Sequence, residues 1–260
     1  MNPTDNTISG SLRFTDRTGQ PASLTLNGET VAGSFPYSLP ARAAKSFLTS
    51  GASSTARVGA IWVLPSQNNP APGGSLVFSY RASNIRVTEA GVSASIPGSA
   101  FRLYAEASAS VQSGLAITNA SSSPATVRLE LINLNGSPVA GTTITIEANG
   151  QTGAFLDQIP GLEMVSLPFQ GLLRITSASP IAVVGLRGRY NERGDFLITT
   201  TPPVSEQTSA SSGDAYFPHF ADAGGYTTQF ILFSSGPGAS ASGSVRFMKQ
   251  DGQPLDLKLR

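Results

Sequence analysis

The residue types that most often carry out chemistry are sparse in this sequence. His219 is the single histidine, and there is no cysteine. A Ser-His-Asp triad or a histidine-based metal site would have to include His219. The lack of cysteine excludes disulfides, zinc-thiolate sites and cysteine nucleophiles. The sequence thus contains no recognisable nucleophile or metal motif.

The carboxylates are dispersed along the chain. A glycosidase needs two carboxyl groups that face each other across a cleft, and no spacing here indicates such a pair. No D-x-D-x-D-G loop indicates calcium. We therefore predict no enzymatic activity, no metal and no cofactor. The carboxylates considered are Glu89, Glu106, Glu130, Glu147, Asp157, Glu163, Glu192, Asp195, Glu206, Asp214 and Asp222.

Three short patterns have both a functional and a structural interpretation. Residues 193–195 (RGD) spell an adhesion tripeptide, but glycine between two predicted strands favours a hairpin turn. Residues 119–121 (NAS) fit the glycosylation acceptor pattern. Five aromatic residues could form a sugar platform, although at strand spacing they more often face a core or a sheet. These aromatic residues are Trp62, Tyr80, Tyr104, Tyr190 and Tyr226.

Composition narrows the class of protein. The net charge of +1 indicates no electrostatic footprint for nucleic acid or an anionic membrane. The sequence contains no run of 18 apolar residues, so we predict no membrane-spanning helix. The first six residues are polar and do not form a signal peptide, so we expect any export signal to lie upstream. With 40% hydrophobic and 13% charged residues, the chain is too apolar to be disordered.

Alternation of apolar and polar residues with a period of two dominates the chain. It is clear at Leu12/Phe14, Leu129/Leu131 and Leu173/Ile175, and predicts strands rather than helices. At most, residues 155–159 form one short helical turn. We predict strands near 170–176 and 180–189, and an all-β fold of antiparallel sheets packed face to face.

A phrase recurs three times at nearly equal intervals. Residues 9–14 (SGSLRF) and 242–247 (SGSVRF) each lead into a Gly-Gln-Pro turn, and residues 127–131 (VRLEL) lead into Gly-Ser-Pro. The turn glycines, at positions 19, 136 and 252, are 117 and 116 residues apart (136 − 19 = 117; 252 − 136 = 116). Such a period indicates tandem units. We predict immunoglobulin-like β-sandwich repeats of about 117 residues.

The repeats are out of phase with the chain ends. Shifting the opening strands of the middle unit back by one period places them before the first residue. We therefore predict a repeat over 1–100 that lacks its first strands and a complete repeat over 101–206. Residues 207–260 would be the opening strands of a further repeat, which complete a neighbouring unit. An offset of 116 aligns His219 with Leu103, which predicts a packing position.

Several phrases resemble repeat modules of large secreted or cell-surface bacterial proteins. They are residues 37–41 (YSLPA), 87–92 (VTEAGV), 101–106 (FRLYAE), 185–196 (GLRGRYNERGDF) and 216–222 (YFPHFAD). The resemblance covers most of the chain and implies an extracellular, tandemly repeated β-sandwich. It brings no activity and no catalytic residue.

We therefore expect an extracellular or cell-surface structural protein whose partners are copies of itself. Segment 214–233 is predicted to complete the unit at 1–100 of the next copy by strand complementation, which propagates as a filament or surface array. In a longer polypeptide the covalent chain would make the same contact. The alternative is an adhesin module that binds a carbohydrate or receptor through its loops, with the insertion at 28–38 as the best candidate. The predicted self-association residues are Phe217, Phe220, Phe230, Ile231, Leu232 and Phe233.

Overall fold

The computed structural model describes residues 1–163, 165–207, 213–233 and 242–257. Within those residues there are fifteen strands and a single 3₁₀ turn. All of the strand pairs are antiparallel. The predicted all-β fold with antiparallel sheets is therefore confirmed. None of these residues belongs to a helix long and apolar enough to cross a membrane.

The chain divides into two compact units, Met1–Gln207 and Thr208–Arg260, and all fifteen strands lie in the first. The 3₁₀ turn, Leu156–Gln158, lies where the sequence predicted a short turn. The strands are β1 Ile8–Asp16, β2 Ser23–Leu26, β3 Glu29–Ala32, β4 Ser34–Leu39, β5 Gly59–Pro65, β6 Ser75–Ala82, β7 Ile85–Ser93, β8 Gly98–Ala107, β9 Val111–Asn119, β10 Ala125–Asn133, β11 Pro138–Ile146, β12 Gln151–Phe155, β13 Phe169–Tyr190, β14 Phe196–Thr201 and β15 Val204–Ser205.

Residues 98–205 form one eight-stranded arrangement built around the 22-residue strand β13. The first part of β13 pairs with β10 on one side and β8 on the other, and its second part pairs with β9 and β14. Its register against β8 shifts between Thr176 and Ile181. The prediction of two separate strands at 170–176 and 180–189 was wrong, because the intervening residues stay extended and no turn interrupts them.

Alternation builds the core of this β-sandwich. In β10, Ala125, Val127, Leu129 and Leu131 are fully buried, whereas the residues between them face outward. Side chains from β8, β9 and both parts of β13 complete the same apolar cluster. Strand periodicity in the sequence thus translates directly into one buried face.

Residues 1–97 form a smaller, more open arrangement. A three-stranded sheet has the order β4-β1-β5, and β2–β3 and β6–β7 are separate hairpins. The insertion at 28–38, proposed as a binding loop, instead folds as β3 and most of β4. Its Val31 joins Phe14 and Leu26 in a small core, which explains why this stretch forms strands.

The described residues of the second unit, 213–233 and 242–257, contain no strand. They have isolated bridges at Ala223–Tyr226 and Met248–Pro254 and a tight turn at 249–253. The expectation that this segment already forms opening strands is not met in these residues. A strand needs a neighbouring strand to pair with its backbone N–H and C=O groups. That these residues form strands on pairing with another copy therefore stays a prediction.

Candidate self-association surface

The structure brings no catalytic group together in its described part. No three histidine, cysteine or acidic side chains are grouped there as metal ligands. His219 is exposed in the second unit, whereas Leu103, its predicted counterpart, is buried in β8. The prediction that His219 occupies a packing position was therefore wrong, because its side chain is exposed and the residue lies in no strand.

The RGD tripeptide lies in the tight turn between β13 and β14. The Asn191 carboxamide oxygen accepts hydrogen bonds from the N–H groups of Arg193 and Asp195, both at 2.9 Å. Gly194 has φ +82°, a conformation that favours glycine. The predicted hairpin turn is confirmed, and these residues are explained by its geometry.

The glycosylation pattern lies at a buried structural asparagine. Asn119 Nδ2 donates hydrogen bonds to the carbonyls of Ser123, Ile146 and Glu147 at 2.8, 3.1 and 3.0 Å. Its Oδ1 accepts from the N–H and the hydroxyl of Ser121 at 2.9 and 2.8 Å. The side chain therefore ties the end of β9 to the end of β11.

An equivalent network surrounds Asn2. Its Nδ2 donates to the carbonyls of Asn6, Leu39 and Pro40 at 2.7, 3.1 and 2.9 Å. Its Oδ1 accepts from the N–H and the hydroxyl of Thr4 at 2.9 and 2.8 Å. The same five hydrogen bonds occur at two asparagines that are 117 residues apart in the sequence.

Three tight turns also share one geometry, at 16–20, 133–137 and 249–253. In each, the N–H of the first residue donates to the carbonyl of the fifth, at 2.9, 2.9 and 2.8 Å. The N–H of the fourth residue, a glycine, donates back to the first carbonyl at 3.1, 3.0 and 3.0 Å. These glycines have φ +81°, +89° and +81°. The turns predicted from the recurring phrase therefore form at all three places.

The sheets around the first two turns correspond in order. β1 lies between β4 and β5, and β10 lies between β11 and the first part of β13. Leu12 of β1 is opposite Val63, and Leu129 of β10 is opposite Ile175. The two sheets differ on the far side: the first part of β13 continues the sheet into β8, whereas β5 pairs only with β1 among the described residues.

This open side leaves apolar side chains in water. Ile61, on β5, is 47% exposed, whereas Leu173, at the matching register on β13, is 1% exposed. The β6–β7 hairpin also exposes Val77, Tyr80 and Ile85, and among the described residues β6 pairs only with β7. This hairpin lies against β14 of the second repeat, where the Thr88 hydroxyl donates to the Ile198 carbonyl at 3.1 Å. We call the exposed side of β5 the acceptor face.

The predicted self-association residues lie together in the second unit. Phe217 and Leu232 are exposed, and the other four are partly buried. The rings of Phe217 and Phe230 are 6.5 Å apart, and those of Phe220 and Phe230 are each within 6 Å of the ring of Phe247. We call residues 214–233 the donor segment.

A buried ion network, which sequence reasoning missed, closes the sandwich. Glu206 accepts hydrogen bonds from Arg102 at 2.6 Å and from Arg174 at 2.8 and 2.9 Å. The side chains of Glu206 and Arg102 are only 7% and 8% exposed. The hydrogen bonds from Arg174 lower the pKa of Glu206, against the opposing effect of burial. No local signal pairs residues so far apart in sequence.

The five aromatic residues of the possible sugar platform lie on different elements. Trp62 on β5 donates from Nε1 to the Thr15 hydroxyl at 3.1 Å, and its ring lies 4.6 Å from the Arg13 guanidinium carbon. Tyr190 packs against Phe196 with ring centroids 5.0 Å apart. An open groove lies beside the 16–20 turn, but none of the described residues that line it is aromatic. The structure therefore adds nothing in favour of a sugar platform.

No family model and no curated protein matches this chain. The crystal structure of Thermotoga maritima 1070 is 14% identical, with a TM-score of 0.33 over 40% of this chain and 90% of that chain. The Anabaena sensory rhodopsin transducer is 22% identical, with a TM-score of 0.29 over 35% and 97%. The structure of infectious bursal disease virus Gx strain is 11% identical, with a TM-score of 0.20 over 69% and 50%. All three TM-scores are below 0.5, so none carries an argument about this chain.

Proposed function

We propose that this chain is an extracellular or cell-surface structural protein made of tandem immunoglobulin-like β-sandwich repeats. The first repeat corresponds to 1–100, the second to 101–206, and 207–260 opens a third. Copies assemble head to tail when the donor segment of one copy adds strands to the acceptor face of the next. The equivalent asparagine networks, the three matching turns and the corresponding sheet order support the repeat.

The observation that carries the proposal is the contrast between Ile61 and Leu173. They occupy the same register in corresponding sheets, yet one is half exposed and the other is buried. In the second repeat β8 pairs with β13 beside Leu173, and Leu115 and Ile117 of β9 belong to the same buried core. The donor segment aligns with β8 and β9 at an offset of 116 and is also apolar. It therefore has the length and character to cover the acceptor face.

Apolar burial favours this contact, although four of the six side chains are already partly buried within their own unit. Burying the six apolar side chains of the donor segment contributes about 2 kcal/mol each, on the order of 10 kcal/mol as an upper limit. Backbone hydrogen bonds along an added strand supply further affinity and fix the register. A contact between two different surfaces of the same chain propagates as a filament unless its rotation closes a ring.

The test replaces Phe230 and Leu232 with Asp and measures particle size by light scattering and electron microscopy. We expect polymers of the wild-type chain and folded monomers of the variant. Ser95→Asp together with Ile96→Asp adds the same charge at exposed positions outside the strands and should leave the polymers intact. Polymers that persist unchanged in the variant with Phe230→Asp and Leu232→Asp would refute the proposal. A monomeric wild-type chain would also refute it and would favour the adhesin alternative.

A mixing experiment identifies the two surfaces separately. Ile61→Asp with Leu64→Asp, both exposed on β5, should disable the acceptor face while leaving the donor segment intact. Each variant alone should be monomeric, because each lacks one half of the contact. Their mixture should form a one-to-one dimer and nothing larger. Failure to form this dimer would exclude pairing between these two surfaces.

A further inference from the structure

The two repeats within Met1–Gln207 meet at a defined junction. The turn at 16–20 lies against the loop at 147–151, where the Gln151 N–H donates to the Arg17 carbonyl at 3.1 Å. Arg13 Nη2 donates to Asn149 Oδ1 at 3.0 Å. A Cβ atom at Gly19 would collide with the Ala148 carbonyl oxygen. Glycine at this position therefore permits the close approach.

The second repeat contains a turn equivalent to the one at 16–20. The turn at 133–137 has the same two backbone hydrogen bonds as the turn at 16–20, and no atom of the described residues lies within 4 Å of a Cβ atom added at Gly136. Leu134, in the position of Arg17, is exposed. Among the described residues, no loop docks on the turn at 133–137, whereas the loop at 147–151 lies against the equivalent turn at 16–20.

The first repeat contains a loop at 40–43 that is equivalent to the loop at 147–151. The Arg42 N–H donates to the Thr4 carbonyl at 3.1 Å, as the Asn149 N–H donates to the Ser121 carbonyl at 3.0 Å. Arg42 and Asn149 have φ +58° and +57°. Arg42 is exposed, and its side chain pairs with Asp5 at the surface. The chain therefore presents a second, exposed example of each half of the junction.

We propose that the turn at 133–137 of one copy docks on the loop at 40–43 of the next copy, and that Glu130 pairs there with Arg42. This inference rests on the proposed head-to-tail assembly and adds a second contact to it. Glu130 occupies the register of Arg13: it lies opposite Arg174, as Arg13 lies opposite Trp62. Within its own chain Glu130 accepts from Arg128 at 2.6 Å and from Arg174 at 3.4 Å, so Arg42 would join an existing ion network. The arginine-to-asparagine contact inside the chain thus becomes a carboxylate-to-guanidinium contact between copies.

Crosslinking of cysteine pairs tests the docking, because the wild-type chain has no cysteine. Leu134→Cys with Ala41→Cys is treated with a short bismaleimide and run on a denaturing gel. The matched control, Arg17→Cys with Ala148→Cys, joins the corresponding positions within one chain. We expect a ladder of oligomers from the first pair and an internally linked monomer from the control.

The outcomes separate this inference from the proposed assembly. Polymers that persist without a ladder would overturn the docking and leave strand complementation standing. A chain that forms no polymers would overturn both. A ladder in the Phe230→Asp and Leu232→Asp variant would support the docking while contradicting strand complementation.

A charge reversal tests the ion pair. Arg42→Glu should raise the concentration at half assembly by about tenfold, since it places two carboxylates together. Asp5→Asn removes only the internal surface pair of Arg42 and should leave that concentration unchanged. Equal effects of the two variants, or no effect of Arg42→Glu, would overturn the pairing of Glu130 with Arg42.

Discussion

Replacing Glu206 with Gln removes the negative charge at the centre of the buried ion network. The Glu206 carboxylate accepts three hydrogen bonds, from Arg102 at 2.6 Å and from Arg174 at 2.8 and 2.9 Å. A charged hydrogen bond contributes about 1.5–3 kcal/mol, and breaking a buried ion pair costs about 3–5 kcal/mol. Because the Gln amide retains one acceptor oxygen, we expect a loss of about 3 kcal/mol in the free energy of unfolding.

The assay is urea unfolding at neutral pH, and Glu192→Gln is the control. Glu192 pairs with Arg189 at 3.0 Å, but both side chains are largely exposed, so this change should cost less than about 0.5 kcal/mol. A loss at Glu206 no larger than that at Glu192 would refute the claim that the network holds the sandwich closed.

The pH dependence provides a second measurement on the same variant. The pKa of Glu206 is lowered from its ordinary value of 4.5, so the ionised form stabilises the folded chain above that pH. This contribution is lost as the pH falls through the lowered pKa. The stability difference between wild type and Glu206→Gln should therefore be constant above pH 4.5 and narrow in more acidic solution. A difference that widens on acidification would contradict the assignment.

Five further substitutions, in three experiments, test the repeat geometry and the contact between β1 and β5. Asn119→Ala and Asn2→Ala each remove five hydrogen bonds and should each lower the free energy of unfolding by about 2–4 kcal/mol; unequal effects in urea unfolding would show that the networks differ in importance. Gly19→Ala should cost several times more than Gly136→Ala, because both need a positive φ but only the first meets a neighbouring carbonyl; equal losses measured for monomers would argue against the junction. Trp62→Phe should cost about 1 kcal/mol in thermal unfolding by removing the indole hydrogen bond to β1, and an unchanged melting temperature would contradict this.

Local pattern in the sequence was enough to predict the all-β class and the turns. Period-two alternation marks residues such as Val127 and Leu129 as one buried face, because successive side chains on a strand point to opposite sides. Glycine at the fourth position of a tight turn predicts positive φ for steric reasons, and Gly19 and Gly136 adopt it. These features depend only on residues that are near one another in the chain.

Tertiary structure alone decided which elements meet. The partners of Glu206 come from β8 and β13, 104 and 32 residues away in sequence. The burial of Leu173 and the exposure of Ile61 depend on whether the strands equivalent to β8 and β9 are present to complete the core around each residue. Both are consequences of register between distant strands, which the alternation of a single strand does not encode.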